Sequence, residues 1–324
     1  MSAAALPPPR VSVVTIFLNA ERFLDEAVES LLAQTYRDWE LVLVDDGSTD
    51  GSTAMAREWA ARFPERVRYA EHPGHANRGM SASRNLGIRL ARGEYVALLD
   101  ADDVYLPRKL EHQVALLDAS PGVGMVYGAT EYWYSWTGRP EDAARDRLRT
   151  RGLAPGTVFE APELVHRFLR EAARTPCTCG VVMRKDAVEQ AGGFEEGFGG
   201  MYEDQVFFLK LCLRTAVLVD GECLDRYRQH EDSWCHQELT RGRWRRTSAL
   251  SDSRQAFLEW LEVFLQDAGI GDRGLLRKVR RELLPYRHPV LVPVWRALAP
   301  IHRLRARIDR AVRSARELRP DRPA

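Results

Sequence analysis

No stretch of this 324-residue chain reaches the ~18 consecutive apolar residues that a membrane-crossing helix needs, so no transmembrane anchor is expected. The start of the chain carries Pro7-Pro8-Pro9 and lacks the apolar core of a secretory leader; residues 1–9 read as a disordered lead-in. Cysteine is scarce and odd in number: Cys177, Cys179, Cys212, Cys223 and Cys235 contain no Cys-x-x-Cys pair. That argues against a disulfide framework or a thiolate zinc site, and reduced thiols in a cytoplasmic protein are the expectation. Cys177 and Cys179 are spaced as neighbours on one face of a strand. Internal repeats are lacking, and so is any low-complexity tract beyond the short Ala/Pro start. The first apolar run passes into Phe17-Leu18-Asn19 with no glycine-rich phosphate loop.

Charge of one sign is also missing overall, with a net +1, but its distribution is uneven. Residues 273–324 carry 15 Arg and Lys against 4 Asp and Glu, a net +11, while residues 1–272 hold 32 against 42, a net −10. The C-terminal segment therefore reads as a separate functional unit or tail. A hydrophobic content of 45% and a charged content of 29% fit a globular protein.

What is present is alternation. Val11–Leu18, Trp39–Val44, Val67–Ala70 and Tyr95–Leu99 are short apolar, β-branched runs. Helical spacings lie between them at Glu21–Gln34, Gly51–Arg62 and Ser81–Leu90. Strands alternating with helices predict a parallel sheet covered on both faces. Ligands in such sheets bind beyond the carboxyl ends of the strands, where this chain places Asp45-Asp46 and Asp100-Ala-Asp102-Asp103. Crowded carboxylates repel one another; a hard divalent cation holding a phosphate would offset that cost, and a solvated acidic turn is the plain alternative. Further on, Val123–Tyr127 and Cys179–Met183 read as strands, Asp204–Leu213 and Ser248–Gln266 as helices, and Ser135–Pro155 as a polar insertion.

Val11-Ser-Val-Val, Asn19-Ala-Glu-Arg-Phe-Leu, Gln34-Thr-Tyr and Glu40-Leu-Val-Leu-Val-Asp-Asp-Gly-Ser-Thr-Asp50 resemble the opening of family 2 glycosyltransferases. The match continues through Asn77-Arg-Gly-Met-Ser-Ala-Ser-Arg-Asn-Leu-Gly87, Gly93-Glu-Tyr, Leu99-Asp-Ala-Asp-Asp103, Gly192-Gly-Phe194 and Glu203-Asp204, over about residues 10–235. The resemblance implies an inverting enzyme of the GT-A fold, with a mostly parallel nucleotide-binding sheet flanked by helices and a helical C-terminal extension. It divides residues 10–235 into a nucleotide-sugar-binding half (10–120) and an acceptor-binding half (121–235); helical spacing and charge add a helical extension (236–272) and a basic tail (273–324).

By the same resemblance, Asp46 accepts the imide N–H of a uracil or equivalent base, with Asp45 and Asn19 beside it. Arg84 holds phosphate oxygens or forms a salt bridge to an acidic cluster. Asp100 bonds ribose or orients its loop. Apart from the resemblance, Asp103 reads as a cap for the following helix, whose start Pro107 marks. Within it, Asp102, with His230, ligates Mg²⁺ or Mn²⁺. Asp204 is the base that deprotonates an acceptor hydroxyl, and the dipole of the helix it opens favours its ionised form. Ser83 stands where the family usually has Ala, an exchange expected to change little. The donor is expected to be a nucleotide sugar, a UDP-sugar by preference, and the acceptor a glycan, a lipid-linked molecule or a small molecule. Glu203 and the aromatics Trp133 and Trp136 are candidates for the acceptor side, with packing between the two halves as the other reading of the tryptophans. The alternatives are an inactive nucleotide-sugar-binding scaffold and a nucleotidyltransferase that forms sugar nucleotides.

In the tail, Ile301, Leu304, Ile308, Val312 and Leu318 form a narrow apolar stripe among arginines. The composition suits a helix at an anionic membrane surface or one docked on the acidic domain, in preference to nucleic acid. A cytoplasmic protein peripheral to the inner face of the membrane through 301–318 would follow from the first option.

Overall fold

The computed structural model describes residues 7–150, 152–169, 173–198, 201–240, 250–293 and 297. β1 (Val11–Phe17), α1 (Leu24–Leu32), β2 (Trp39–Asp45), α2 (Ser52–Arg62), β3 (Val67–Glu71), α3 (Met80–Leu90) and β4 (Tyr95–Leu98) alternate as the periodicity predicts. Then come β5 (Val104–Tyr105), α4 (Lys109–Asp118), β6 (Val123–Trp133), α5 (Pro140–Ala143), β7 (Arg147–Arg149), β8 (Thr157–Phe159) and α6 (Glu163–Leu169). The chain continues through β9 (Val181–Arg184), α7 (Lys185–Ala191), α8 (Glu203–Cys212), β10 (Ala216–Arg228), α9 (Trp234–Thr240), α10 (Asp252–Asp267) and α11 (Arg273–Arg287).

The strands form one sheet in the order β3-β2-β1-β4-β9-β6-β10-β5, with β7 added to β6 and β8 to β10. β3, β2, β1 and β4 are mutually parallel. β9 runs antiparallel between β4 and β6, and β6 pairs in parallel with β10. Side chains alternate across the sheet, as strand geometry requires. Val11, Val13, Leu41 and Leu43 pack under α1, α2 and α4 on one face, while Val14, Ile16, Val42 and Val44 pack under α3, α7 and α8 on the other. Both faces are covered, so these strands read as continuous apolar runs. Gly87 lets α3 sit close to the sheet: a Cβ there would lie 2.3 Å from Val14 Cγ1 and 3.2 Å from Val44 Cγ2.

The structure departs from the sequence expectations in three places. Residues 178–180 form a single 3₁₀ turn and the strand begins at Val181, so Cys177 and Cys179 do not share a strand face. Residues 216–228, for which the sequence predicts no element, form the 13-residue strand β10; past Val219 its sequence turns polar, with Gly221 and Glu222 exposed, and its register against β6 shifts there. Residues 273–287, grouped by charge with the tail, form α11, and its Leu275, Val279 and Leu283 join the same core as Phe257, Leu258 and Leu261 of α10. The predicted stripe at 301–318 lies outside the described residues. No described helix is long and apolar enough to cross a membrane.

Candidate functional site

The acidic segments emerge where the topology rule puts them. β2 ends at Asp45, and β4 leads through Leu99 into Asp100–Asp103. β10 returns beside β5 and carries Arg228 and His230 to the same end of the sheet. His230 Nε2 lies 2.9 Å from Asp102 Oδ2, and the imidazole is largely buried. Its Nδ1 is buried without a hydrogen-bond partner. The ring packs between Phe23 and Trp136, at centroid distances of 4.7 and 6.4 Å. Arg228 fixes the loop from behind: its backbone N–H donates to Asp103 Oδ1 at 2.9 Å, its Nε to the Asp102 carbonyl at 2.7 Å, and its guanidinium to Glu26 at 2.6 Å. Arg228 is thus spent on the loop.

Asp103 does not cap a helix. α4 begins after Arg108 with no side-chain cap, and burial, with Asp102 and Asp100 nearby, pushes the Asp103 carboxyl well above the usual carboxylate range. Beneath it lies a buried ionic pair, Lys109 Nζ 3.1 Å from Asp225 Oδ2, with Lys109 also bonded to Gln113 Oε1 at 3.0 Å.

Arg84, on α3, is the hub between the acidic loop and α8. Its guanidinium donates to Asp100 Oδ1 at 2.8 Å and, on the other side, to Glu203 Oε1. The salt-bridge reading of Arg84 therefore describes it better than a free phosphate clamp. Glu203, read from the sequence as an acceptor-side group, is buried, with its second oxygen accepting from Ser81 Oγ at 2.9 Å. Its carboxylate instead ties α8 to α3.

The next residue, Asp204, opens a helix whose Val206, Phe207, Phe208, Leu209 and Leu211 are all buried, which makes its first turn a rigid platform. The turn is held from the C-terminal side as well. Tyr202, at a left-handed φ of 77°, stacks on Phe257 of α10 with centroids 4.9 Å apart. Burial and the neighbouring Glu203 carboxylate push Asp204 up to about 6. The helix dipole expected to hold it fully ionised is outweighed by desolvation, yet at neutral pH most of the population is still carboxylate.

Asp46 is buried and already carries three protein donors. Oδ1 accepts from the Arg78 N–H at 2.8 Å and from Ser83 Oγ at 2.9 Å, and the Gly79 N–H lies 3.0 Å from Oδ2. Ser83 therefore matters more than expected, since its hydroxyl takes a lone pair of the very carboxylate assigned to the base. Asp45 accepts from the Gly47 and Ser48 N–H groups at 3.1 and 2.8 Å and from Thr53 Oγ1 at 2.6 Å. Asn19, at φ 53°, closes the end of β1 onto the next loop through Thr49 N at 2.7 Å. These three residues build the crevice wall from within.

Trp133 and Trp136 cover Arg228, with its guanidinium carbon 4.5 and 5.2 Å from their ring centroids, and Trp136 Nε1 donates to the Gln229 carbonyl at 2.9 Å. They sit against the loop that carries Asp102, as inter-half packing does, and Trp136 remains partly exposed. Glu26, Phe23 and Ser81 escaped the sequence reading because each is an ordinary helix residue until the fold brings its partner to it.

For a divalent cation, the donors at hand are the partly exposed Asp102 carboxylate and the His230 imidazole, an oxygen and nitrogen set that suits Mg²⁺ or Mn²⁺. Nε2, the ring nitrogen that faces Asp102, is the atom an ion held between the two would take. The residues present fit the ion. Among the described residues a second convergence, Asp45, Glu71 and His75, brings three ligand-type atoms within 4.8 Å of one another. Its atoms, however, are occupied by Thr53, Tyr69 and the Ser48 carbonyl.

The profile of the family described as Glycosyl transferase family 2 matches residues 12–190. EpsE of Bacillus subtilis (strain 168), which carries a glycosyltransferase name, is 43% identical over 110 residues, covering 34% of this chain and 39% of its own. Glycosyltransferase GlyG of Streptococcus pneumoniae serotype 4 (strain ATCC BAA-334 / TIGR4) is 36% identical over 125 residues, covering 37% and 40%. The matched region thus spans about two-fifths of these relatives' length. Among solved structures, S. aureus TarS 1-349 in complex with UDP-GlcNAc superposes with a TM-score of 0.62 at 19% identity, covering 85% of this chain and 72% of that one. Mannosyltransferase PcManGT from Pyrobaculum calidifontis, in complex with GDP-Man and Mn²⁺, superposes with a TM-score of 0.54 at 18% identity, covering 97% and 89%. At these identities the likeness is one of fold, and the fold is of the GT-A type.

Proposed function

Because the chain belongs to glycosyl transferase family 2, we propose that it moves a sugar from a nucleoside-diphosphate donor to an acceptor hydroxyl with inversion at the anomeric carbon. The observation that carries this reading is Asp204, a carboxylate on the first turn of a rigid helix, joined through Glu203 and Arg84 to the acidic loop and pushed up to about 6. A base of that strength is mostly ionised at neutral pH and takes a hydroxyl proton more readily than an ordinary carboxylate. The acceptor oxygen attacks the anomeric carbon as Asp204 removes its proton, and the bond to the diphosphate breaks on the opposite face. Holding donor and acceptor in line supplies a further share of the rate.

Asp102 and His230 would hold the divalent cation, whose chemistry when bound is to neutralise charge on a departing diphosphate. The chain's own residues set the rest. Arg228 and Asp103 fix the loop bearing Asp102, and Arg84 fixes Asp100 and Glu203. A UDP-sugar is the donor favoured here, by analogy with the TarS complex. With three protein donors already on Asp46, a base edge would meet that carboxylate only at its remaining Oδ2 lone pair.

The experiment is a panel of nucleotide sugars assayed for nucleoside diphosphate release with Mn²⁺, Mg²⁺ or chelator. Metal-dependent release from at least one donor supports the proposal. Donor binding without release, even with candidate acceptors present, would point to the scaffold alternative. Pyrophosphate-dependent formation of nucleoside triphosphate would point to the nucleotidyltransferase.

A further inference from the structure

α11 has two chemically opposite faces. Leu275, Val279 and Leu283 are fully buried against α10 and the core. On the other side, at spacings of three and four residues, stand Arg273, Arg277, Arg281, Leu284 and His288, all exposed. Other cations on these helices are tied down: Arg280 and Arg287 to Glu262, and Arg254 to Glu282. Among the described residues, Arg273, Arg277 and Arg281 form no ion pair with a carboxylate. The helix then ends in a turn, Pro289–Leu291, where Val290 is 82% exposed and Leu291 38%, continuing the exposed Leu284. Residues 301–324 add eight arginines against three acidic residues to the same end of the sequence.

The geometry points to α11 and its terminal turn as a docking surface for an anionic lipid leaflet. A row of guanidinium groups without a carboxylate partner among the described residues answers anionic headgroups, and aliphatic side chains at the end of that row answer the acyl layer beneath them. A nucleic acid would use the arginines but has no use for exposed valine and leucine; single strands are held by stacking on aromatic rings. The one aromatic of α11, Tyr286, is turned towards α10, where its hydroxyl accepts from the Ser251 N–H at 3.2 Å. This inference does not depend on the sugar-transfer reading, and its test uses no donor.

The test is co-sedimentation of the full chain with vesicles of phosphatidylcholine, with and without phosphatidylglycerol, across a salt series. Binding is expected to the anionic vesicles alone and to weaken with salt. Changing Arg273, Arg277 and Arg281 together to Gln should lower the partition coefficient by about fivefold per arginine, roughly a hundredfold in all. Changing Val290 and Leu291 to Ser should lower it as well, with the salt dependence retained. These residues are exposed, so both variants should melt with the parent chain, which separates lost docking from lost folding. Equal binding to both vesicle types, or a triple variant that partitions like the parent, would overturn the inference. So would a serine variant that partitions like the parent, or an arginine row that captures an oligonucleotide or a second copy of the chain while vesicles are ignored.

Discussion

Replacing Arg84 with Met leaves two carboxylates facing a site that no longer holds a cation. The Arg84 side chain is 5% exposed, Glu203 7% and Asp100 25%. Breaking a buried pair by removing one partner costs about 3–5 kcal/mol. Asp100 recovers part of its hydration through its exposed quarter, so most of the cost falls on Glu203 and the lower end, about 3 kcal/mol, is expected. In a chain of this size that corresponds to a fall in Tm of roughly 4 °C. A second consequence follows from charge. Arg84 lowers the proton affinity of Asp204 while Glu203 raises it, so removing the cation moves Asp204 further up from about 6. The acid limb of the pH–rate profile should therefore shift to higher pH. The double variant Arg84→Met with Glu203→Gln should regain much of the stability and return the limb towards its original position. Differential scanning calorimetry and a pH series of nucleoside diphosphate release measure the two effects. An unchanged Tm together with an unmoved acid limb in Arg84→Met would refute the hub.

Asp204→Asn should abolish turnover yet stabilise the fold, because a carboxylate pushed up to about 6 destabilises the native state once ionised. The native state binds the extra proton, so the advantage of the variant should be absent below about pH 4, grow as pH rises through about 6 and level off at up to about 3 kcal/mol; urea unfolding at several pH values reads it. Lys109→Met strands the buried Asp225 carboxylate and should cost about 3–5 kcal/mol in urea unfolding, with Asp225→Leu added to it restoring much of the loss. His230→Ala should raise the Mn²⁺ concentration for half-maximal release by at least about tenfold, a ligand weighing no less than the outer-shell partners of a metal site; an unchanged requirement would remove His230 from the ion. Gly87→Ala forces a Cβ against Val14 and should cost about 1–3 kcal/mol by overpacking, measured as a shift in the unfolding midpoint.

The first half of the fold was legible because its strands are buried on both faces and its helices are amphipathic, so period and composition agree from Val11 to Leu98. The second half was less so. β10 turns polar past Val219, where its register also shifts, and α11 is so rich in arginine that its charge hid the Leu275, Val279 and Leu283 stripe. At the site, Asp45-Asp46 and Asp100–Asp103 stood out as carboxylates clustered at strand ends, while the particular roles of Asp46, Asp102 and Asp204 came from the resemblance to family 2 glycosyltransferases. What they touch was not legible. Ser83 reaching Asp46, Glu203 closing on Arg84 and Arg228 clamping the Asp102 carbonyl are contacts between residues distant in sequence. Side-chain geometry decides them, and no local pattern encodes it. Glu203 shows this most clearly: one residue before the proposed base, it looked like part of the chemistry and serves as a tie between two helices.

The most direct test of the central claim is nucleoside diphosphate release from the donor panel by the parent chain and by Asp204→Asn, with donor binding measured in parallel. The account predicts metal-dependent release by the parent, retained donor binding in the variant, and release lowered by several orders of magnitude. Release by Asp204→Asn at the parent rate would contradict it.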